Sequence, residues 1–298
     1  MSVAEHPSVS RRLEEKVGRL RDILQGMDRV LVAFSGGTDS AFLLKIAAEV
    51  LDRNVSAVIA SSPVFPASEI ADAERLARKF KVRYRIIRPA VFKNPRFVKN
   101  TPLRCYECKK DLWRSARRIA VREGNAQIVD GQNVDDKSDY RPGAAAGREM
   151  GVRSPLQEAG LRKDEIRAYS RKLGLPNWDK PAQACLATRI PFGVPIRRPA
   201  LARVAAAEED LRRLGFGRVR VRDHGPVARI ELDLDEIGRA MGEEMRRRIN
   251  SRLKKRGYAF IALDLGGYRV GSLNQGAKKV LKEKKKDPSG LKTARAFK

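Results

Sequence analysis

The feature that most restricts the fold of this chain is the hexapeptide Ser35-Gly36-Gly37-Thr38-Asp39-Ser40, which follows the short apolar run Arg29–Phe34 and opens the helix-patterned stretch Asp39–Leu51. A buried-type strand that runs through two glycines straight into a helix is a βα unit, and the pattern repeats. Val55–Ala60, Val82–Ile87 and Gln127–Val129 read as further strands, while Ala67–Phe80 and Tyr106–Glu123 read as the intervening helices. An amphipathic helix, Ser10–Gly26 with Leu13, Val17, Leu20 and Leu24 on one face, precedes them. Strands alternating with helices predict an α/β fold with a doubly wound, mostly parallel sheet, since parallel neighbours need such crossovers.

The hexapeptide has the chemistry of an anion cradle. Its glycines let the backbone turn tightly and approach a ligand. The first-turn N–H groups of the following helix have no partners of their own, and their dipoles favour negative charge. The hydroxyls of Ser35, Thr38 and Ser40 can add hydrogen bonds, whereas Asp39 would repel phosphate and suits a helix cap or a Mg²⁺ ligand. The Gly-Lys-Ser/Thr ending of a Walker A loop is absent. The segment resembles the PP-loop of the ATP-pyrophosphatase superfamily, which cleaves ATP to AMP and pyrophosphate. That resemblance implies adenine contacts near Ala60-Ser61-Ser62. It also implies nucleotide contacts from Gly131, Asn133, Asp135 and Asp136 at the same sheet edge, with the two aspartates sharing Mg²⁺.

Beyond Gly131 the periodicity loosens. Asn133–Leu156 reads as a long functional loop, Lys163–Leu173 as a helix ending at Gly174, and Lys180–Pro199 as irregular. From Ala200 a different pattern begins: a helix over Ala200–Leu214, strands at Arg218–Arg222 and Ala228–Leu232, a helix over Glu236–Arg256 and a strand at Ala259–Leu263. The expected organisation is a domain over 1–195, a smaller α+β domain for substrate or oligomer contacts over 196–276, and a basic, disordered tail over 277–298.

Three cysteines in 298 residues exclude a disulfide scaffold. Cys105 and Cys108 form a Cys-x-x-Cys pair and Cys185 lies in Ala184-Cys185-Leu186-Ala187-Thr188-Arg189. The pair alone suits a redox dithiol, half a zinc site or an iron–sulfur site. A complete zinc site needs a fourth ligand, with only His6, His224 or a carboxylate on offer. Three thiolates without a fourth ligand suit a [4Fe–4S] cluster with one open iron. Arg104, Lys109, Lys110 and Arg189 stand close in sequence, and positive neighbours lower thiol pKa values.

The net charge of +27 favours polyanionic or phosphorylated partners, and the tail concentrates nine Lys/Arg against two Asp/Glu. Nucleic acid is therefore a possible partner. The N-terminus has no apolar signal region and no run is long enough to span a bilayer, so a cytoplasmic location without membrane attachment is expected.

Several segments together resemble the LarE family, sulfurtransferases of nickel-pincer nucleotide synthesis: Ser35–Ser40, Thr101–Lys110, Gly131–Gly143 with its Asp-Tyr-Arg-Pro-Gly ending, Ser154-Pro155-Leu156, Lys180–Gly193, Arg218–Glu231 and Leu263–Asn274. The resemblance implies that ATP adenylates a carboxylate of a pyridinium biscarboxylate mononucleotide, a nicotinic acid-derived substrate, and that sulfur then displaces AMP. Cys185, Asp39 and Arg189 become candidate catalytic residues. One subtype sacrifices a single cysteine, at the position of Cys185, and lacks the Cys-x-x-Cys pair. This chain has the pair, so it resembles the subtype in which Cys105, Cys108 and Cys185 hold a [4Fe–4S] cluster. The family also implies substrate-phosphate binding by Arg220 and Arg222, a metal at a subunit contact held by Glu208 and Glu231, and a homo-oligomer, a hexamer being possible. The alternative is a tRNA thiolase, which also combines a PP-loop with three cysteines. The Asp-Tyr-Arg-Pro-Gly and Cys-Leu-Ala-Thr-Arg segments fit it less well.

Overall fold

The computed structural model describes residues 10–138, 142–181 and 183–269; His6, Asp139-Tyr140-Arg141, Val270–Asn274 and the basic tail lie outside them. In chain order the helices are α1 (Arg11–Gln25), α2 (Thr38–Leu51), α3 (Ala67–Lys79), α4 (Pro95–Val98), α5 (Arg104–Arg122), α6 (Pro142–Glu149), α7 (Pro155–Glu158), α8 (Lys163–Lys172), α9 (Arg198–Arg213), α10 (Leu234–Met241) and α11 (Glu243–Lys255). The strands are β1 (Val30–Ala33), β2 (Val55–Ala60), β3 (Arg83–Ile87), β4 (Gln127–Val129), β5 (Arg220–His224), β6 (Val227–Glu231) and β7 (Phe260–Leu263).

The chain forms two compact units. The first takes the described part of Met1–Asn94 together with Cys105–Cys185; the second takes Pro95–Arg104 with the described residues after Cys185. In the first, four strands run in the order β3-β2-β1-β4 and every neighbouring pair is parallel. β1 and β2 are buried over nearly their whole length, as strands covered on both faces must be. The α1 stripe read from sequence, Leu13, Val17, Leu20 and Leu24, is buried in the main core. α2 buries Phe42, Leu43, Leu44 and Ile46 on more than one face, because it packs between the sheet, α1 and α8. Each large apolar side chain so buried stabilises the fold by about 1.5–3 kcal/mol. The direction of strand order reverses at β1, with β2 on one side and β4 on the other. That reversal opens a crevice at the carboxyl ends of β1 and β4, where Ser35–Ser40 and Gly131 stand.

The second unit is a three-stranded sheet, β5-β6-β7, with a β5–β6 hairpin and a parallel β6–β7 pair. Its core gathers Leu211, Phe216, Val221, Ile230, Leu253 and Tyr258. Pro95–Arg104 belongs here because Asn100 knits it to the chain after Ile190. The Asn100 side-chain amide donates to the carbonyls of Pro191 and Val194, both at 2.8 Å, and the Asn100 carbonyl accepts from Gly193 N–H at 3.1 Å.

Two sequence expectations change. The single helix over Glu236–Arg256 is α10 and α11, separated by Gly242, which takes an extended conformation and flanks both; glycine is a weak helix former and marks the break. The expected loop Asn133–Leu156 contains a 3-10 turn at Val134–Ser138 and helix α6. Among the described residues no helix is long and apolar enough to cross a membrane.

Candidate active site

The phosphate loop is held by contacts that only its own residue types allow. Gly36 has φ +73° and packs so closely on α3 that a Cβ there would stand 3.0 Å from the Ala73 Cβ. Gly131, just past β4, approaches the first turn of α2 so tightly that a Cβ would lie 2.9 Å from Ser40 N. The Ser35 and Ser40 hydroxyls hydrogen-bond each other at 3.1 Å, and Ser40 Oγ accepts from Ser35 N–H at 3.3 Å. Helix α2 has no side-chain cap, so its N-terminal dipole faces the crevice with N–H groups available to an anion. Thr38 departs from its expected phosphate role: its hydroxyl donates to the Asn177 carbonyl at 2.8 Å.

Asn133 organises the acidic side of the crevice. Fully buried, it donates from Nδ2 to Asp39 Oδ2 at 3.1 Å and accepts at Oδ1 from Asp135 N–H at 3.0 Å. Its own N–H donates to Asp136 Oδ2 at 3.1 Å. Asp39 Oδ1 is buried without a hydrogen-bond partner among the described residues. Burial pushes the Asp39 carboxyl above its ordinary range; Lys163 opposes this, and the nearby Asp136 carboxylate adds to it. A desolvated carboxylate oxygen with no donor, beside a second carboxylate, fits a divalent hard cation. Asp136 lies within electrostatic reach of Asp39. Asp135 is exposed and accepts the Lys163 N–H at 2.8 Å, at the N-terminus of α8.

An apolar recess of about 120 Å³ lies beside the loop, lined by Phe34, Ile59, Ala60, Phe65 and Ile70 with Lys109 and Leu112 at its rim. Its position at the ends of β1 and β2 suits a purine ring. Ser61 N–H is engaged by the Ile87 carbonyl at 2.8 Å, and Ser62 Oγ is buried without a partner among the described residues.

The three cysteines fall in the same unit, each half-buried. Cys105 and Cys108 sit one turn apart at the start of α5. Gly143 lets α6 pack against that turn, since a Cβ there would stand 3.0 Å from Lys109 Cγ and 3.4 Å from the Cys105 carbonyl oxygen. The Cys108 thiol is pushed up to about 12, first by burial and then by the nearby Cys185, with Lys109 opposing and Cys105 and Asp111 adding to the rise. Cys108 is thus within electrostatic reach of both other cysteines. The expectation of a lowered thiol pKa fails for Cys108 because burial outweighs its one close cation. Arg104 is instead bonded to Asn100 and stacked on Phe192 at 4.4 Å, and Arg189 is paired with Glu208. Among the described residues no three His, Cys, Asp or Glu side chains are spaced to hold a single metal ion. Thiolates bound to different irons of one cluster stand farther apart than ligands of one ion, and a set of three soft donors fits such a cluster.

In the second unit, Arg189, Glu208, Arg220, Arg222 and Glu231 are all buried. Arg189 binds Glu208 through two bonds, 2.7 and 3.1 Å, and Arg222 binds Glu231 through two at 2.8 Å. A metal at Glu208 and Glu231 would have to compete with both pairs. Arg220 donates to Tyr268 Oη at 2.8 Å and stacks on its ring at 4.4 Å; burial, with Arg189 and Arg222 nearby, pulls its pKa down against the opposing Tyr268. Removing one member of a buried pair strands a charge. Glu208→Gln is therefore expected to destabilise the protein by about 3–5 kcal/mol, as read by denaturant unfolding.

Sequence reasoning missed Lys163 and Arg167, whose charges act on Asp39 from α8, and Asn177. Nothing local in the sequence marks them, because residues far along the chain deliver them to the loop.

The parallel sheet with its loop at the switch point defines a PP-loop ATP pyrophosphatase. The NAD synthase family model matches residues 13–94. The pyridinium-3,5-bisthiocarboxylic acid mononucleotide synthase of Lactiplantibacillus plantarum is 40% identical over 263 residues, 88% of this chain and 95% of that one. An uncharacterized protein of Synechocystis is also 40% identical, over 88% of this chain and 98% of its own length. One from Methanocaldococcus jannaschii is 28% identical over 81% and 91%. The chain belongs to the LarE family.

Proposed function

We propose that this protein is an ATP-dependent sulfurtransferase that converts the carboxylates of a pyridinium-3,5-biscarboxylate mononucleotide to thiocarboxylates, for nickel-pincer nucleotide synthesis. The observation that carries the reading is an intact phosphate loop and three thiols in one compact unit, Cys108 within electrostatic reach of the other two, in a chain 40% identical to the synthase along 95% of that enzyme's length.

In this reading the N–H groups of Gly37 and the first turn of α2 bind the phosphates, and the recess beside Phe34 takes the adenine. Asp39 and Asp136 would hold Mg²⁺, which would supply charge neutralisation at the phosphates. A substrate carboxylate oxygen attacks the α-phosphorus and pyrophosphate leaves. The resulting acyl adenylate has AMP as a good leaving group, so a sulfur nucleophile adds to the carbonyl carbon and AMP departs. A [4Fe–4S] cluster held by Cys105, Cys108 and Cys185 would leave one iron to carry the transferable sulfide. Arg220, whose guanidinium is not taken by a bidentate carboxylate partner as that of Arg222 is, supports a role in binding the substrate phosphate. The family resemblance supports a homo-oligomeric assembly.

The test is direct. Anaerobically purified protein is incubated with ATP, Mg²⁺, sulfide and the biscarboxylate mononucleotide. Substrate-dependent AMP and pyrophosphate, with a product heavier by the oxygen-to-sulfur exchange, are expected. Nucleotide turnover stimulated instead by tRNA, with thiolated tRNA as product, would overturn the substrate assignment.

A further inference from the structure

Asn177 lies on the segment between α8 and Cys185 and is not part of the phosphate-loop motif, yet it meets that loop twice. Its backbone carbonyl accepts the Thr38 hydroxyl at 2.8 Å, and its Nδ2 donates to the Gly36 carbonyl at 3.1 Å. That carbonyl and the Gly37 N–H belong to one rigid peptide plane. Holding the oxygen therefore fixes the direction of that N–H, which lies at the start of the anion cradle and here makes a long 3.4 Å bond to Ser35 Oγ that a phosphate oxygen could displace. Gly36 needs such a hold, because at φ +73° a glycine peptide can turn over at little cost.

The same segment is fastened on its other side. Lys180 Nζ pairs with Glu69 at 2.8 Å and Asp72 at 3.1 Å on α3, and the Lys180 carbonyl accepts from Arg167 at 3.3 Å and Thr38 at 3.4 Å. Asn177 itself is 7% exposed, and its Oδ1 is buried with no hydrogen-bond partner among the described residues. Turning the amide over to satisfy that oxygen would set it against the Gly36 carbonyl, acceptor to acceptor. The orientation is thus fixed by the loop, and the unsatisfied acceptor is the cost of keeping the donor there. From Asn177 the chain reaches Cys185 in eight residues.

We propose that Asn177 is a positioning residue that locks the Gly36–Gly37 peptide toward the nucleotide phosphates and ties the Cys185 segment to the occupied loop. The proposal rests on reading Ser35–Ser40 as the triphosphate site.

Full-length wild type, Asn177→Ala and the isosteric Asn177→Asp are compared by hydrogen–deuterium exchange with and without saturating Mg-ATP, and by pyrophosphate-release kinetics. In wild type ATP slows exchange over Ser35–Ser40 and over Gln183–Ala187. In both variants protection of the loop remains at saturation, protection of Gln183–Ala187 is lost, and KM for ATP rises about tenfold with KM for the second substrate unchanged. In Asn177→Asp the rise in KM shrinks as pH falls, because the protonated carboxyl again donates to Gly36. Loop protection in wild type without protection at Gln183–Ala187 overturns the proposal alone. Protection of both segments in the variants, or an unaltered KM for ATP, also overturns it. Absence of any ATP protection at Ser35–Ser40 in wild type overturns the triphosphate reading and the proposal with it.

Discussion

Asp39→Ala and Asp39→Asn enzymes are expected to release pyrophosphate from ATP at least 10²–10³-fold more slowly than wild type, as removal of one preorganised electrostatic group does at about that scale, yet the Asn variant should melt higher. The two effects share one cause. Asp39 places a buried oxygen with no hydrogen-bond partner among the described residues in the crevice, and burial raises its pKa. A carboxyl whose folded-state pKa lies above its unfolded value contributes stability that is full below the unfolded value. That contribution is lost as pH rises through the folded value. Near neutral pH the ionised Asp39 therefore works against the nucleotide-free fold. Neutral asparagine removes that penalty, so the gap in Tm between Asp39→Asn and wild type should widen as pH rises from about 4 and level off above the folded pKa. Thermal denaturation without nucleotide across that range, beside pyrophosphate assays, checks both. If Asp39 were only a helix cap, Asp39→Ala would lower Tm, Asp39→Asn would leave it nearly unchanged, and both would leave turnover nearly intact.

The strand–loop–helix opening was legible because it is local. Apolar β1, the two glycines and the α2 pattern are contiguous, and so are the Cys-x-x-Cys turn and the α1 stripe. What escaped was set by residues brought together from afar. Asp135 and Asp136 read as a pair in sequence, but Asn133 turns Asp136 toward Asp39 while the start of α8 claims Asp135. Arg104 and Arg189 read as cations near cysteines, but Asn100, four residues before Arg104, and Glu208 on α9 take them. Arg222 and Glu231 are diagonal neighbours across the β5–β6 hairpin, and their side chains bond each other there. Gly242 was visible as a glycine inside a helical pattern, and a single glycine does not say whether a helix tolerates it or stops.

Cys108→Ala is expected to lose iron and sulfur transfer together while still releasing pyrophosphate when given ATP and substrate. The separation follows from position. Cys108 stands near the start of α5, outside the phosphate loop, and is within electrostatic reach of Cys185 and Cys105. Adenylation needs the loop, the α2 N-terminus and Asp39, none of which changes. Anaerobic reconstitution should give about four iron and four acid-labile sulfide per wild-type chain, and loss of one of three thiolates should abolish retention of the cluster. The same loss is expected for Cys105→Ala and Cys185→Ala, because in the proposed cluster each would supply one ligand. A different pattern would identify the other sulfur source. If Cys108→Ala and Cys105→Ala still delivered sulfur for one turnover, only Cys185→Ala were inert, and spent protein carried dehydroalanine at position 185, the sulfur would come from the Cys185 side chain. Iron analysis, single-turnover product counts and peptide mass measurement on the same three variants distinguish the two chemistries, since one leaves Cys185 intact after many cycles and the other consumes it in the first.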